Sequence, residues 1–268
     1  GTLALRVLQH IPLDVLDDAI RVGLRSGFGN EWLRVGAVKM FLDGALGSRT
    51  AWMREPYEGS DDCGVQVLAE NDFRSAVKRA ASNGIATTVH AIGDAAVALA
   101  FEVLNDKQLA VRGWPHRVEH VQCLAPETLI GEHVICSVQP SHLMTDWRAA
   151  DRHWGKRAAH TYAFRSMLDS GATLLCGSDA PVEAADPRHG LYAAVARKDR
   201  RHEPADGWNP VQRMSIEEVL KGYTTEIKLG GLADFVAWDR DPLRIDAEEL
   251  LEMAPVATVV NGEIVYGG

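Results

Sequence analysis

The sequence predicts an α/β fold built on a parallel sheet. Three patterns carry that expectation. Short apolar runs rich in Val, Ile and Leu recur at 3–9, 35–42, 85–89, 117–122, 134–139 and 173–176, bounded by Gly, Pro or polar residues, as strands buried on both faces are. Helix-patterned segments alternate with these runs, which is the order of a βα repeat. Near residue 233 the pattern changes. Strand-like runs at 233–238, 256–260 and 263–266 follow, the last two flanking Asn261-Gly262, a strong hairpin signal, so a small antiparallel unit is expected there.

Taken in order, the run at 3–9 precedes a helix over 12–24, where Leu13, Leu16, Ile20 and Leu24 recur at helical spacing. After the run at 35–42, residues 51–70 read as a long loop. Asn71 is expected to cap a helix carrying Phe73, Val77 and Ala80 and ending at Gly84. Asp94 is expected to cap 95–104, and a helix over 157–169 ends at Gly171. Ser215 and Glu218 form the S-x-x-E capping box of a helix running through Tyr223. Residues 142–156 and 183–212 read as loops over the working face. Six parallel strands are two fewer than a closed (β/α)₈ barrel requires, so two are hidden or lie outside this chain.

Composition narrows the class. The 268 residues are 46% hydrophobic and 24% charged, which excludes a disordered tail, a collagen-like rod and a membrane bundle. The net charge of −9 makes nucleic acid and membrane surfaces poor partners. No apolar run approaches the roughly 20 residues of a membrane span, and residues 1–10 lack the pattern of a signal peptide. Cys63, Cys123, Cys136 and Cys176 show no C-x-x-C and read as reduced thiols of a cytoplasmic protein. The chain starts at Gly1 without Met and is expected to be part of a longer one.

Chemistry is sought at the C-terminal ends of the strands, where α/β folds carry their sites. Lys39, His90, His120, Gln139 with His142, and Asp179 each stand at or near such an end, at spacings that suit βα units. Two imidazoles and a carboxylate suit a divalent metal, zinc first, with iron or manganese also compatible. A lysine ammonium cannot bind a cation, but its carbamate can. Water held by such a metal ionises near neutral pH, and Asp179 could take its proton and return it to a leaving amine. Taken singly, each residue also has an ordinary structural role: a strand-end histidine, a buried ion-pair lysine, a turn aspartate. No G-x-S-x-G or G-x-x-x-x-G-K occurs, and H-R-V-E-H at 116–120 has the wrong order for a zincin helix.

The runs VKMFLDGALGSRTA, HAIGDAAV, RVEHVQ, SVQPSHLMTDW, GSDAPVEAADPRHGLYAAVAR and LADFVAWDRDPL resemble the amidohydrolase superfamily, in its amidohydrolase-3 branch of YtcJ-like and N-substituted formamide deformylase-like proteins. The resemblance implies a metal-dependent (β/α)₈ TIM-type barrel with a small β-sandwich, strands three to eight being present. It divides the chain into an incomplete barrel over 1–226 and sandwich strands over 227–268. It implies metal ligation by Lys39 as a carbamate, His90, His120 and Asp179, with Asp179 also the proton shuttle. It places Asp43, Arg49, Gln139, His142 and Trp147 near the substrate. The family's first barrel strand carries H-x-H, which none of the ten histidines forms, so that strand is expected before Gly1. The segment after Tyr223-Thr224 is short for the family and marks Glu226-Ile227 as a junction.

The expected activity is hydrolysis of a non-peptide C–N bond in a small amide, formamide or cyclic amide. Two alternatives stand beside it: a catalytically inactive fragment, and a metal-dependent esterase or lactonase. Homo-oligomerisation is left open.

Overall fold

The computed structural model describes residues 3–225 and 228–267. The junction expected at Glu226-Ile227 lies outside the described residues. Six strands, β1 (Val7–Pro12), β2 (Leu33–Phe41), β3 (Thr87–Ala91), β4 (His116–His120), β5 (Val134–Val138) and β6 (Thr173–Cys176), form one sheet in chain order. Each pairing from β1 through β5 is parallel. The parallel α/β expectation therefore holds. The first strand sits later than the apolar run at 3–9, because pairing with β2 begins only at Val7, opposite Leu33.

By its contacts the chain forms two compact units, one of residues 1–138 and 146–174, the other of 139–145 and 175–268. In the first unit, alternation along β2 sorts the side chains. Val38, Met40 and Leu42 are buried, while Lys39 and Phe41 take the opposite face, half-buried and exposed. Helix α1 (Leu16–Arg21) follows a short 3₁₀ turn at Leu13–Val15, so the helix expected over 12–24 is shorter and broken at its start. Helix α2 (Glu70–Ser82) buries Phe73, Val77 and Ala80, and α3 (Asp94–Leu104) buries Val97 and Phe101. Each such apolar side chain removed from water contributes about 1.5–3 kcal/mol.

Two expected caps are wrong. Phe73 N donates to Ala69 O, closing the first turn of α2 ahead of Asn71, which lies inside the helix. Gly93 is the N-cap of α3, and the Asp94 carboxylate accepts instead from Arg54 N at 2.8 Å. The expected helix over 157–169 is interrupted. A 3₁₀ segment at Gly155–His160 ends before Tyr162, whose φ is 51°, and α5 (Phe164–Asp169) starts afterwards. The supposed loops 142–156 and 183–212 contain α4 (Leu143–Trp154) and α6 (Pro187–Ala196). Leu143, Ala150 and Trp154 are all fully buried, a helical spacing that packing selects.

In the second unit, Asp186 caps α6 by accepting from Arg188 N at 3.0 Å. Helix α7 (Ile216–Tyr223) carries both bonds of the Ser215/Glu218 capping box. Strands β7 (Phe235–Trp238), β8 (Pro255–Val260) and β9 (Glu263–Gly267) form an antiparallel sheet. Asn261 and Gly262 both have positive φ, 54° and 81°, the pair that a two-residue hairpin of matching twist requires. All four cysteines are free thiols. No described helix is long and apolar enough to cross a membrane.

Candidate metal site

The parallel pairing lines up one polar face. Lys39 lies opposite Thr88, and Thr88 opposite Arg117; one step further along, Phe41 lies opposite His90, and His90 opposite Glu119. Register partners share a face, so β2, β3 and β4 present these residues together. Contacts agree with the register. Thr88 Oγ1 donates to Glu119 at 2.5 Å, Arg117 pairs with Glu119 at 3.0 Å, and Arg117 also donates to Ser137 Oγ at 2.8 Å. Arg117 and Glu119 belong to the RVEH run, but the sequence alone offered no role for them.

His90 and His120 meet at the C-terminal ends of neighbouring strands. Their ring centroids are 4.5 Å apart and the planes lie at 68°. His90 Nε2 stands 2.9 Å from Gly44 O. A carbonyl only accepts, so Nε2 faces it as the donor. His120 ends β4 in a left-handed conformation, φ 72°, and Val121 follows at φ 47°. Such a conformation in a β-branched residue costs on the order of 1–3 kcal/mol and persists only where surroundings enforce it. Here Val121 N donates to Ala91 O at 3.1 Å and Cys123 N to Ile92 O at 2.9 Å, locking the end of β4 to that of β3.

Asp43, expected near the substrate, is held by backbone amides. It is 2% exposed, and its carboxylate accepts from Trp52 N at 2.9 Å, Gly93 N at 2.7 Å and Ile92 N at 3.0 Å. Burial pushes its carboxyl up to about 7, while the amides of Gly93, Trp52 and Ile92 pull it back. With Asp94 on Arg54 N, the FLDG and AIGD runs form two halves of one lock around the loop at 50–54. Gly93 is required there, because a Cβ would collide with the Trp52 backbone. This role could not be found from sequence, since the partners are backbone amides up to 50 residues away.

The other expected residues fall as follows. Lys39 Nζ lies 4.7 Å from the Phe41 ring centroid, and that ring is 5.3 Å from His90. A cleft of about 650 Å³ opens beside them, lined by Gln9, His10, Pro12, Lys39, Phe41 and Val67 among others. Arg49 is half-buried, its guanidinium 5.5 Å from the Tyr57 ring. Trp147 is half-buried under the Arg148 guanidinium at 4.1 Å. Its neighbour Asp146 accepts from Gln122 at 2.9 Å and Tyr162 Oη at 2.7 Å, a polar trio that the sequence did not suggest. Gln139, His142 and Asp179 belong to the second unit. There Gln139 and His142 are buried, and His142 Nε2 lies 3.3 Å from Ser178 O, next to Asp179. Asp179 is exposed with φ 56°.

Two other histidines show the contrasting, structural use. His116 Nδ1 accepts from Thr87 N at 3.0 Å, and its Nε2 donates to Leu109 O at 2.7 Å. His10 Nδ1 accepts from Ala37 N at 3.0 Å. Burial, first of all, lowers the pKa of both and keeps them neutral.

The donor set fits a divalent metal in kind. Two imidazoles converge, one with its Nε2 facing a carbonyl, which is the usual outer support of a ligating histidine. Among the described residues, no group of three or more His, Cys, Asp and Glu is gathered closely enough to hold an ion by itself. Within the first unit a third donor would come from Lys39 as a carbamate.

The fold is a parallel α/β sheet with two histidines meeting at neighbouring strand ends, the edge at which α/β folds carry their sites. The chain belongs to the amidohydrolase family, whose model matches residues 1–266. It is 33% identical over 256 residues to YtcJ of Bacillus subtilis (strain 168), assigned as an amidohydrolase, covering 88% of this chain and 48% of that protein. It is 27% identical over 260 residues to the N-substituted formamide deformylase of Arthrobacter pascens, covering 87% and 46%. An uncharacterized metal-dependent hydrolase from Pyrococcus horikoshii OT3 superposes with a TM-score of 0.74 at 26% identity, over 92% of this chain and 53% of that one. The chain thus spans about half the length of the curated relatives it matches.

Proposed function

We propose that this protein is a metal-dependent hydrolase of a small amide-type substrate, cleaving a non-peptide C–N bond of an amide, formamide or cyclic amide. The observation that carries the reading is the pair His90 and His120, 4.5 Å apart at neighbouring strand ends in a chain of the amidohydrolase family. In this reading residues 1–226 contribute strands to a (β/α)₈ barrel and 227–268 to a small β-sandwich. His90, His120 and Lys39 as a carbamate would hold a divalent metal, zinc by donor chemistry. When bound, the metal lowers the pKa of its water toward about 7 and so supplies hydroxide at neutral pH.

The chain's own residues do the rest. The family resemblance assigns Asp179 the proton role: a carboxylate that takes a proton from water and delivers it to the departing nitrogen, which leaves as a neutral amine. The cleft beside Phe41, walled by Pro12 and Val67, receives the apolar part of the substrate. Amides with a compact polar head and an apolar substituent fit this division.

Elemental analysis of the full chain, purified without chelator or immobilised metal, tests the reading. About one ion per chain or more is expected after zinc and bicarbonate are supplied. Turnover of N-substituted formamides, lost in Asp179→Asn, completes the case. No metal uptake by a folded chain overturns it, and hydrolysis of esters but not the matching amides moves the reading to an esterase.

A further inference from the structure

We propose that Arg49 determines specificity by binding a carboxylate, so that the substrate is an amide carrying an anionic group. The inference rests on the amide reading above and names the substrate class within it.

The loop after β2 fixes Arg49 at the strand edge that carries the histidine pair. Gly44 N donates to Thr50 O at 3.1 Å, and Ala45 N donates to Thr50 Oγ1 at 3.0 Å. These bonds close 44–50 into a tight turn with Arg49 at its end. The turn is anchored to the sheet where Gly44 O lies 2.9 Å from His90 Nε2. Arg49 itself has a left-handed backbone, φ 57°, with its N–H donating to Leu46 O at 2.9 Å. A non-glycine residue at positive φ is strained, and such strain concentrates at ligand-binding positions.

The side chain is oriented but its charge is unmet. The guanidinium lies 5.5 Å from the ring of Tyr57, which is fully buried and tied by its Oη to Ala51 O at 2.8 Å. Arg49 Nε is shielded from solvent, and among the described residues it has no hydrogen-bond partner and no carboxylate pairs with the guanidinium. The acid of the same loop, Asp43, is taken up by the Trp52, Gly93 and Ile92 amides. His153 of α4, whose ring packs edge-on against Tyr57 at 6.5 Å, offers no negative charge; burial first, then Arg49 and Arg152, lower its pKa. The anion is therefore left to a ligand. A buried N–H without an acceptor is costly, and a planar arginine fork matches a carboxylate in shape and charge.

The probes are N-formylphenylalanine and its neutral carboxamide, titrated calorimetrically into the metal-free full chain so that zinc cannot hold the carboxylate. Wild type is expected to bind the acid about 10–100-fold tighter than the carboxamide, the worth of charge-assisted hydrogen bonds. Arg49→Met keeps the stem over Tyr57 but removes the charge, and the preference should disappear. Arg49→Lys keeps the charge without the fork and should fall between the two.

Equal affinity of wild type for acid and carboxamide overturns the proposal, as does failure to bind the acid at millimolar concentration. A folded Arg49→Met that keeps the preference also overturns it; if that variant does not fold, an undiminished preference in Arg49→Lys does the same. Zinc uptake without a preference for the acid leaves the metal reading standing and removes this one. A preference lost in Arg49→Met, in a chain that takes up no zinc, leaves the carboxylate site standing and removes the metal reading.

Discussion

In the parallel sheet Val38, Val89 and Val118 are wholly buried, whereas in the C-terminal sheet Phe235, Val256, Ile264 and Val265 are each at least 49% exposed. Both regions are β-structure rich in β-branched residues, but they stand on different forces. The parallel strands bury a continuous row of apolar side chains, Val38, Val89 and Val118, so their register is set by packing and their ends can position side chains. The three-stranded sheet rests far more on local turn chemistry, above all the two positive-φ residues of its hairpin. The difference teaches where function can be placed: His90 and His120 sit on the packed sheet, and the exposed sheet offers no comparable scaffold.

Breaking that contrast should give the largest effect. Phe73→Ala, in a fully buried position of α2, is expected to lower unfolding free energy by about 3–5 kcal/mol. Tyr266→Ala, on the exposed sheet, is expected to cost about 0.5 kcal/mol or less. Urea unfolding of the two variants measures both, and equal losses would show that the C-terminal sheet is packed as tightly as the first.

The contrast sharpens within one strand. His90→Ala and His120→Ala are each expected to weaken zinc binding by about 100-fold or more, beyond the range seen for outer supports of a metal. His116→Gln, four residues before His120, should leave zinc affinity unchanged but cost about 1–3 kcal/mol, since it disturbs a buried, doubly bonded ring. Zinc titration followed by denaturation of the same samples separates the two roles.

The structural histidines also set a pH dependence. His116 and His10 have folded pKa values below the ordinary 6.5, so the unfolded chain binds more protons as pH falls through 6.5. Their contribution is fully present above about 6.5 and declines as pH drops toward the lowered folded values. Asp43, whose folded carboxyl is raised to about 7, acts in the opposite sense over this range, so the histidine part is read as a difference: between pH 7 and 5 wild type should lose more stability than His116→Gln does. A local effect is expected in the exposed sheet: Gly262→Ala, at φ 81°, should cost about 1 kcal/mol, more than Tyr266→Ala on the same sheet, read as a small drop in melting temperature.

Much of the architecture was legible beforehand because its signals are local. Thr173–Cys176 is a strand where the apolar run predicted it, and the Ser215/Glu218 box and the Asn261-Gly262 turn formed as written. Asp186 followed by Pro187 is the cap and first-turn signature of α6, and it was available in the sequence though read as loop. Asn71 and Asp94 were misread for the opposite reason. Both residue types favour caps, but the backbone of α2 closed earlier, and Asp94 found a better partner in Arg54 N, 40 residues away.

The sequence by itself determined the parallel α/β class, the order of the strands, the hairpin and which histidines end which strands. These follow from residue propensity and from spacing along one chain. Only the tertiary structure decided that the His90 and His120 rings meet, that His90 Nε2 faces the Gly44 carbonyl, and that the Asp43 carboxylate accepts from backbone amides distant in sequence. Those outcomes depend on parallel register and on buried backbone donors brought from residues distant in sequence. A carboxylate removed from water must take whatever donors the fold supplies, and no local pattern encodes which those are.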